Sequence, residues 1–273
     1  MLRVEVQNAA IPSVGFGTWE LAGDTARHMV QAALEIGYRH IDTAQIYGNE
    51  REVGEGIRAS RVRRDDVFLT TKVWMDRFRD GDLQRSAEES LARLGAANVD
   101  LLLLHWPNPE VPLRETVRAL SDAKARGLTR HIGVSNFTTK LLDEAVAHAR
   151  EPIVTNQVEY HPFIDQSEVL AACRAHGLSL TAYSPLAKGR VFGDPVIEEV
   201  ARRHGRTAGQ VAIRWLVQQP DVIAIPRSSK PEHARANLDV MDFALSEDDM
   251  DRISRLGTRQ GRLVNPVWSP RWD

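Results

Sequence analysis

Four residues with chemically useful side chains stand at comparable places in the chain. Asp42 ends a short apolar run, His40 to Asp42, that follows Gly37; Tyr47 comes shortly after, before a helix expected from near Asn49. Lys72 ends the run Val67 to Lys72 (VFLTTK), and His105 ends Val99 to His105 (VDLLLLH). A lysine at the inner rim of a closed sheet is costly to bury without a partner, and Asp42 is the obvious one. The pair would hold an ammonium near the Tyr47 phenol. A phenol has an unperturbed pKa of about 10, and a nearby cation favours the phenolate and lowers it. The result is a general acid matched to an alkoxide forming from a carbonyl, with His105 hydrogen-bonding and orienting the carbonyl oxygen. Such a site has no reductant of its own and needs a hydride carrier.

Each residue also has a purely structural reading. Asp42 could cap a helix, Tyr47 could be a half-buried loop phenol, Lys72 with Asp42 could be a structural ion pair, and His105 could be a core histidine. Two further readings belong to other classes. Lys72 could form a Schiff base as in a barrel aldolase, although an ion pair with Asp42 keeps the amine protonated. The chain could also be a non-catalytic, cofactor-binding, redox-sensing subunit.

The elements that must position these groups alternate. Short apolar runs are expected as strands at Val14 to Gly17, His40 to Asp42, Val67 to Lys72, Val99 to His105, Thr129 to Val134, Ile153 to Val158, Ser179 to Tyr183 and Val222 to Ile225. They lack clean alternation, as strands buried on both faces do. Between them lie amphipathic stretches. In Asp24 to Ile36, with Asp24 as the expected cap, Ala26, Met29, Val30, Ala33 and Leu34 fall on one helical face. Helices are likewise expected at Glu50 to Ser60, Asp82 to Leu94, Leu113 to Arg126, Thr138 to Ala149, Ser167 to His176, Thr207 to Gln218 and Pro231 to Leu238. Eight strand–helix units make an α/β fold, a (β/α)8 TIM barrel, spanning 1–273 as a single domain. Met1 to Gln7 and Ala10 to Val14 flank a turn and predict an N-terminal β-hairpin. Two extra helices are expected, Pro195 to His204 and Ser246 to Leu256, the second opened by a capping box of Ser246 and Asp249. The tail from Gly257, rich in Pro and Trp, is expected to be irregular. Across the strand exits stand Trp19, Asp42, Lys72, His105, Ser135 with Asn136, Gln157, Tyr183 and Arg227, a ring of functional groups on the rim where barrels do chemistry.

Composition narrows the class. The chain has 273 residues and a net charge of −2, with no long basic run, so neither nucleic acid nor a membrane surface is an expected partner. The N-terminal stretch carries no signal-peptide pattern, and the single Cys173 fits a reducing, cytoplasmic setting. Neither HExxH nor paired cysteine spacing is present, so no metal is expected. The GFG at Gly15 to Gly17 lacks the third glycine of a dinucleotide fingerprint.

The segments GYRHIDTAQIYGNE, TTKVW, LLLLHWP, GLTRHIGVSNF, TNQVEYHP, AYSPLAKG and IPRSSKPEHARANL, in this order and spacing, resemble the aldo-keto reductases. IDTAQIYGNE and the RLVNPVWSPRWD tail point to the short bacterial branch that reduces 2,5-diketo-D-gluconate or methylglyoxal. The resemblance implies a monomeric NADP(H)-dependent reductase of small carbonyls such as keto sugars or methylglyoxal. Its catalytic tetrad would be Asp42, Tyr47, Lys72 and His105, with Tyr47 the proton donor. Ser135, Asn136 and Gln157 would hold the nicotinamide carboxamide and Tyr183 would stack on the ring. Ser184 and Leu186 would follow the pyrophosphate. Arg227, Ser228 and His233 would face the 2′-phosphate, Asn237 would meet adenine, and Trp19, Trp74 and Trp106 would wall the substrate pocket. The family commonly has lysine where Arg227 stands and arginine where His233 stands. The first difference keeps the charge; the second gives up a bidentate phosphate grip. NADPH with some acceptance of NADH is the corresponding expectation.

Overall fold

The apolar runs form strands because both their faces are buried, one by the barrel interior and one by a layer of helices. The computed structural model describes residues 2–273. Strands β1 (Arg3–Val6) and β2 (Ala9–Pro12) pair antiparallel as the expected hairpin, of which Met1 lies outside the described residues. Eight parallel strands follow in sequence order: β3 (Phe16–Gly17), β4 (His40–Asp42), β5 (Phe68–Val73), β6 (Val99–Leu104), β7 (Thr129–Ser135), β8 (Ile153–Glu159), β9 (Ser179–Tyr183) and β10 (Val222–Ala224). The sheet curls until its ends meet. Val14 bridges Ala224, the Gly15 N–H donates to the Ala224 carbonyl at 2.8 Å, and the Gly17 N–H donates to the Pro226 carbonyl at 3.0 Å. This is the expected TIM barrel, its eight-stranded sheet closed on itself.

Around it run α1 (Gly23–Ile36), α2 (Glu50–Ala59), α3 (Asp82–Leu94), α4 (Leu113–Ala125), α5 (Thr139–His148), α6 (Ser167–Ala175), α7 (Pro195–His204), α8 (Ala208–Val217), α9 (Pro231–Leu238) and α10 (Glu247–Ser254). Helices α7 and α10 are the two additions to the eightfold repeat, and Ser246 caps α10 by accepting the Asp249 N–H at 3.1 Å. The expected cap on α1 is displaced. Ala22 takes the capping position, and Asp24 instead pairs with Arg27 one turn on, at 3.0 Å. Strand β3 is also shorter than expected, because Val14 contributes only the closing bridge. Gly54 lets α2 lie against the end of α3: a Cβ there would sit 2.0 Å from the Leu94 carbonyl oxygen.

Side chains alternate in destination even where they do not alternate in polarity. Leu69, Val73, Leu102 and Leu104 pack outward in the large strand–helix core. Phe68, Leu101 and Leu103 point inward and join Val154, Ile223 and the hairpin residues Val6, Ala9 and Ile11 in a separate apolar cluster. The hairpin thus plugs one end of the barrel, and the rim with the loops after the strands is the end left for a site. Among the described residues no helix is long and apolar enough to cross a membrane.

Candidate active site

The rim brings Asp42, Tyr47, Lys72 and His105 together. Asp42 ends β4, Lys72 is the last-but-one residue of the neighbouring β5, and Tyr47 sits in a single helical turn, Gln45–Tyr47, between β4 and α2. That turn is held from both sides. The Gln45 side chain donates to the Ser86 and Ser90 hydroxyls at 2.9 and 2.8 Å and accepts the Trp74 N–H at 3.0 Å. Asn49 donates to the Thr18 and Leu21 carbonyls at 2.9 and 2.8 Å.

Lys72 is fully buried. Its ammonium donates to Asp42 Oδ1 at 2.5 Å, to the Thr43 carbonyl at 2.9 Å and to the Tyr47 hydroxyl at 3.3 Å. All three of its N–H bonds are therefore directed, the condition under which a buried cation is tolerated. The other carboxylate oxygen of Asp42 accepts from Gln157 Nε2 at 2.8 Å.

Electrostatics follow from burial and these contacts. Burial alone would push Lys72 toward the neutral amine, but the Asp42 carboxylate, the Tyr47 oxygen and the hydrogen bonds outweigh it and raise its pKa. The amine stays an ammonium, which removes the nucleophile a Schiff-base aldolase requires. For Tyr47 the sequence-based sign is reversed. Burial raises its pKa by more than the Lys72 charge lowers it, so the phenol keeps its proton at neutral pH. Lys72 limits that rise rather than producing a depressed pKa. His105 is pushed well below the ordinary histidine range, by burial first and the Lys72 charge second, and is a neutral imidazole. Its ring meets those of Tyr47 and Trp74 edge-on, with centroids 5.7 and 5.2 Å apart.

Beside the tetrad lies a set of amides. Asn136 holds a left-handed backbone (φ 63°), which asparagine tolerates better than most residues. Its Nδ2 donates to the His105 carbonyl at 3.0 Å, and its Oδ1 accepts from the Tyr183 hydroxyl at 2.8 Å. The Ser135 hydroxyl donates to the Gln157 carbonyl at 2.7 Å. Ser184, the next residue after Tyr183, is also left-handed (φ 52°).

A cavity of about 540 Å³ opens above these groups. Asp42, Tyr47, His105, Asn136, Gln157, Tyr183, Ser184, Arg227, Trp19, Trp74 and Trp106 line it. Lys72 and Ser135 lie beneath, bonded to residues that do. Leu186, Ser228, His233 and Asn237 are not in its lining. Leu186 packs against the outer core, and the Ser228 hydroxyl closes a local turn with Lys230. His233 is exposed in the first turn of α9, and Asn237 is buried one turn later. Arg227 is held by the Trp19 carbonyl at 3.0 Å and by Glu20 at 3.1 Å.

Several lining residues escape sequence reasoning: Ile46, Lys188, and from the tail Leu263, Val264, Asn265, Pro266 and Trp268. The tail is irregular, as expected, but it is docked. Trp268 meets Trp74 and Trp272 meets Trp106, each at 6.0 Å between centroids, and Arg262 lies 3.5 Å over Trp272. The only signal in the sequence was the density of tryptophan and proline, which marks ordering without saying against what.

The donor set suits a nicotinamide. Amide and hydroxyl groups matched to a carboxamide converge beside an aromatic ring, at the floor of a cavity that reaches from Tyr47 to Arg227.

The model of the family described as "Aldo/keto reductase family" matches residues 13–257. The methylglyoxal reductase DkgB of Escherichia coli O157:H7 is 41% identical over 268 residues, covering 97% of this chain and all of that protein. An aldo-keto reductase of Mycobacterium avium (strain 104) is 42% identical over 254 residues, covering 92% of this chain and 88% of that one. A crystal structure provisionally described as a 2,5-diketo-D-gluconic acid reductase B superposes with a TM-score of 0.98 at 47% identity, covering 100% of this chain and 98% of the other.

Proposed function

The chain belongs to the aldo/keto reductase family, and from that premise we propose that it reduces small aldehydes and ketones to alcohols with NADPH, using Tyr47 as the proton donor. It is an oxidoreductase of that family. The observation that carries the finer reading is the Lys72 ammonium, buried and shared between Asp42 at 2.5 Å and Tyr47 at 3.3 Å, beneath a cavity that Tyr47 and His105 face.

The roles follow from chemistry. NADPH, when bound, supplies the hydride. Tyr47 keeps its proton until negative charge develops on the carbonyl oxygen and then gives it up as general acid. The Lys72 ammonium stabilises the phenolate left behind, and Asp42 keeps Lys72 in place. His105, neutral, donates an N–H toward the carbonyl oxygen and orients it without adding charge. Asn136, Gln157 and Ser135 would hold a carboxamide, Tyr183 would lie under the ring, and Ser184 and Leu186 would follow the pyrophosphate. Arg227 would meet a 2′-phosphate, aided by Ser228 and His233, with Asn237 toward adenine. Trp19, Trp74 and Trp106 would wall the substrate. The whole chain acts as one barrel domain, a cytoplasmic monomer, on small carbonyls of the methylglyoxal or diketo-gluconate kind.

The test is a carbonyl panel, including methylglyoxal and 2,5-diketo-D-gluconate, assayed with NADPH and with NADH. Turnover with NADPH exceeding that with NADH is expected. Tight NADPH binding with no turnover on any carbonyl would overturn the reductase reading in favour of a cofactor-sensing subunit.

A further inference from the structure

Glu159 is a buried carboxylate that the chemistry above does not use. It ends β8, two residues after Gln157, and is fully shielded from solvent. An ionised carboxylate is retained in such a place only when its oxygens are hydrogen-bonded. No lysine or arginine lies within ion-pair distance of it among the described residues; its partners are N–H groups. His161 Nε2 lies 2.9 Å from Oε1, and the Leu263 N–H donates to the same oxygen at 2.7 Å. The Val264 N–H donates to Oε2 at 2.9 Å. The histidine's tautomer is set by its other nitrogen, Nδ1, which accepts the Phe163 N–H at 3.3 Å. The proton is therefore on Nε2 and is donated to Glu159.

Two successive backbone N–H groups of the tail are thus directed at one carboxylate, one to each of its oxygens. Here the anion belongs to the barrel and both donors belong to the tail. Leu263 and Val264 line the cavity themselves, and Asn265, Pro266 and Trp268 continue its wall. The approach is steric as well. Thr258 and Ile164 form a bridge, and a Cβ on Gly261 would lie 1.6 Å from the Phe163 carbonyl oxygen. At its far end the Asp273 side chain accepts the Thr139 N–H and hydroxyl at 3.0 and 2.7 Å. Those outer contacts are exposed, whereas the Glu159 contacts lie next to the cavity.

We propose that Glu159 is a positioning residue for the substrate pocket: its carboxylate clamps the tail main chain at Leu263 and Val264, so that the wall from Leu263 to Trp268 stands formed before a carbonyl binds. The inference deepens the reductase reading and rests on it for the kinetic part alone. A neutral residue at 159 would bury at lower cost if packing were its only task. The charge strengthens bonds to N–H groups that would otherwise be left unpaired beside the cavity.

The test compares wild type with Glu159→Gln, Glu159→Asp and the double variant Glu159→Gln/Trp268→Ala. Glutamine keeps the shape but turns an NH2 toward one tail N–H, so one bond becomes a repulsion. Amide hydrogen exchange in the free protein should rise at least tenfold at Leu263 and Val264 in Glu159→Gln, with β8 protection unchanged. For a bulky aromatic aldehyde KM should rise about tenfold, while the Kd for NADPH, read by tryptophan quenching, stays within twofold. Glu159→Asp, which keeps the charge but loses reach, should fall between. In a Trp268→Ala background the KM effect of Glu159→Gln should largely disappear, because both act through the same wall. Unchanged exchange at Leu263 and Val264 would overturn the clamp even if the protein proved not to be a reductase. Exchange that rises equally through β8 would make Glu159 a residue of the barrel and not of the pocket. Should Glu159→Gln fail to fold, Glu159→Asp carries the same exchange and KM comparison. An absence of turnover in wild type would instead count against the proposed function and leave the exchange result to decide the clamp.

Discussion

The two ends of the barrel interior are built by the same strands and face opposite demands. On β5 the inward residues run Phe68, Thr70, Lys72; on β6 they run Leu101, Leu103 and then His105 just past the strand. At the hairpin end these side chains meet Val6, Ala9 and Ile11 in a dry cluster. At the rim, a few residues further on, they hold a buried ion pair, a phenol and an imidazole around an open cavity. Nothing about strand geometry distinguishes the ends. The difference is what closes them, a hairpin at one end and loops with the tail at the other. The plugged end is filled by apolar side chains, and the rim carries groups that are costly to bury. Substitutions should therefore separate into those that unfold the barrel and those that silence it.

The largest effect expected is one that crosses that division. Lys72→Met leaves Asp42 as a buried carboxylate without its cation, a loss of about 3–5 kcal/mol for breaking a buried pair, and it also removes the stabiliser of the Tyr47 phenolate. Urea unfolding and turnover should both suffer. A variant that lost turnover at wild-type stability would mean the pair is hydrated and the rim is less dry than the distances imply. Tyr47→Phe should respect the division, lowering turnover by roughly 10²–10⁴, the range for a general acid, with an unchanged unfolding midpoint and NADPH affinity. Leu103→Ala is its mirror at the plugged end: a loss of about 2–5 kcal/mol for a large-to-small core change, with kcat preserved wherever the protein remains folded. Near-normal turnover in Tyr47→Phe would remove it as the proton donor.

Much of this comparison was legible in the sequence. The limits of β4, α3, β9, α7 and α9 coincide with expectation because each is closed by a local signal, such as Gly95 after α3 or Pro195 at the start of α7. The convergence of Asp42, Tyr47, Lys72 and His105 followed from their place at or just after the exits of neighbouring strands. What failed depended on distant contacts. The sign of the Tyr47 shift is set by desolvation of the phenol in the folded chain, and the contact between Gln157 and Asp42 joins residues far apart in the chain. Glu159 had a signal that went unused: it lies two residues beyond Gln157 on the same strand, so both point to one face. Its partners, Leu263 and Val264, are main-chain groups of an irregular tail, which no pattern of side chains reveals.

The pH dependence offers a gentler probe, with one histidine from each level of the interior. Burial is the main force holding His40 and His105 below 6.5, with Asp42 opposing it at His40. In acid the unfolded chain binds protons that the folded chain refuses. The stabilisation is therefore present above pH 6.5 and is lost as pH falls through the folded values. Stability measured by urea unfolding should drop between pH 7 and pH 5, and His105→Gln should flatten that drop. Because His105 stays neutral and Tyr47 stays protonated, kcat/KM for reduction should show no inflection between pH 6.5 and 8. An inflection near 6.5 that disappears in His105→Gln would mean that the imidazole is solvated and titrates freely.

The smallest effects belong to the outer lip, where the groups are wet. Arg227 is the cation expected to face a 2′-phosphate, yet it is already engaged by the Trp19 carbonyl and by Glu20. A phosphate must compete with that carboxylate. Both side chains are well exposed, 37% and 56%, so the pair itself is worth no more than about 0.2–1 kcal/mol. Arg227→Ala should weaken NADPH by roughly tenfold, as the loss of one charge-assisted contact of about 1.5 kcal/mol would, and should spare NADH. Glu20→Gln should act in the opposite direction and more weakly, improving kcat/KM for NADPH by about twofold to fivefold, the range that follows from releasing a surface pair. His233 is exposed on α9, so His233→Arg should add a charge-assisted contact and sharpen the preference. The measurement is the ratio of kcat/KM for the two cofactors in these variants at low and at high salt. Screening should compress every one of these differences while leaving the tetrad variants untouched. A ratio indifferent to Arg227→Ala would move the phosphate away from this lip and sever the cofactor choice from the wet end of the barrel.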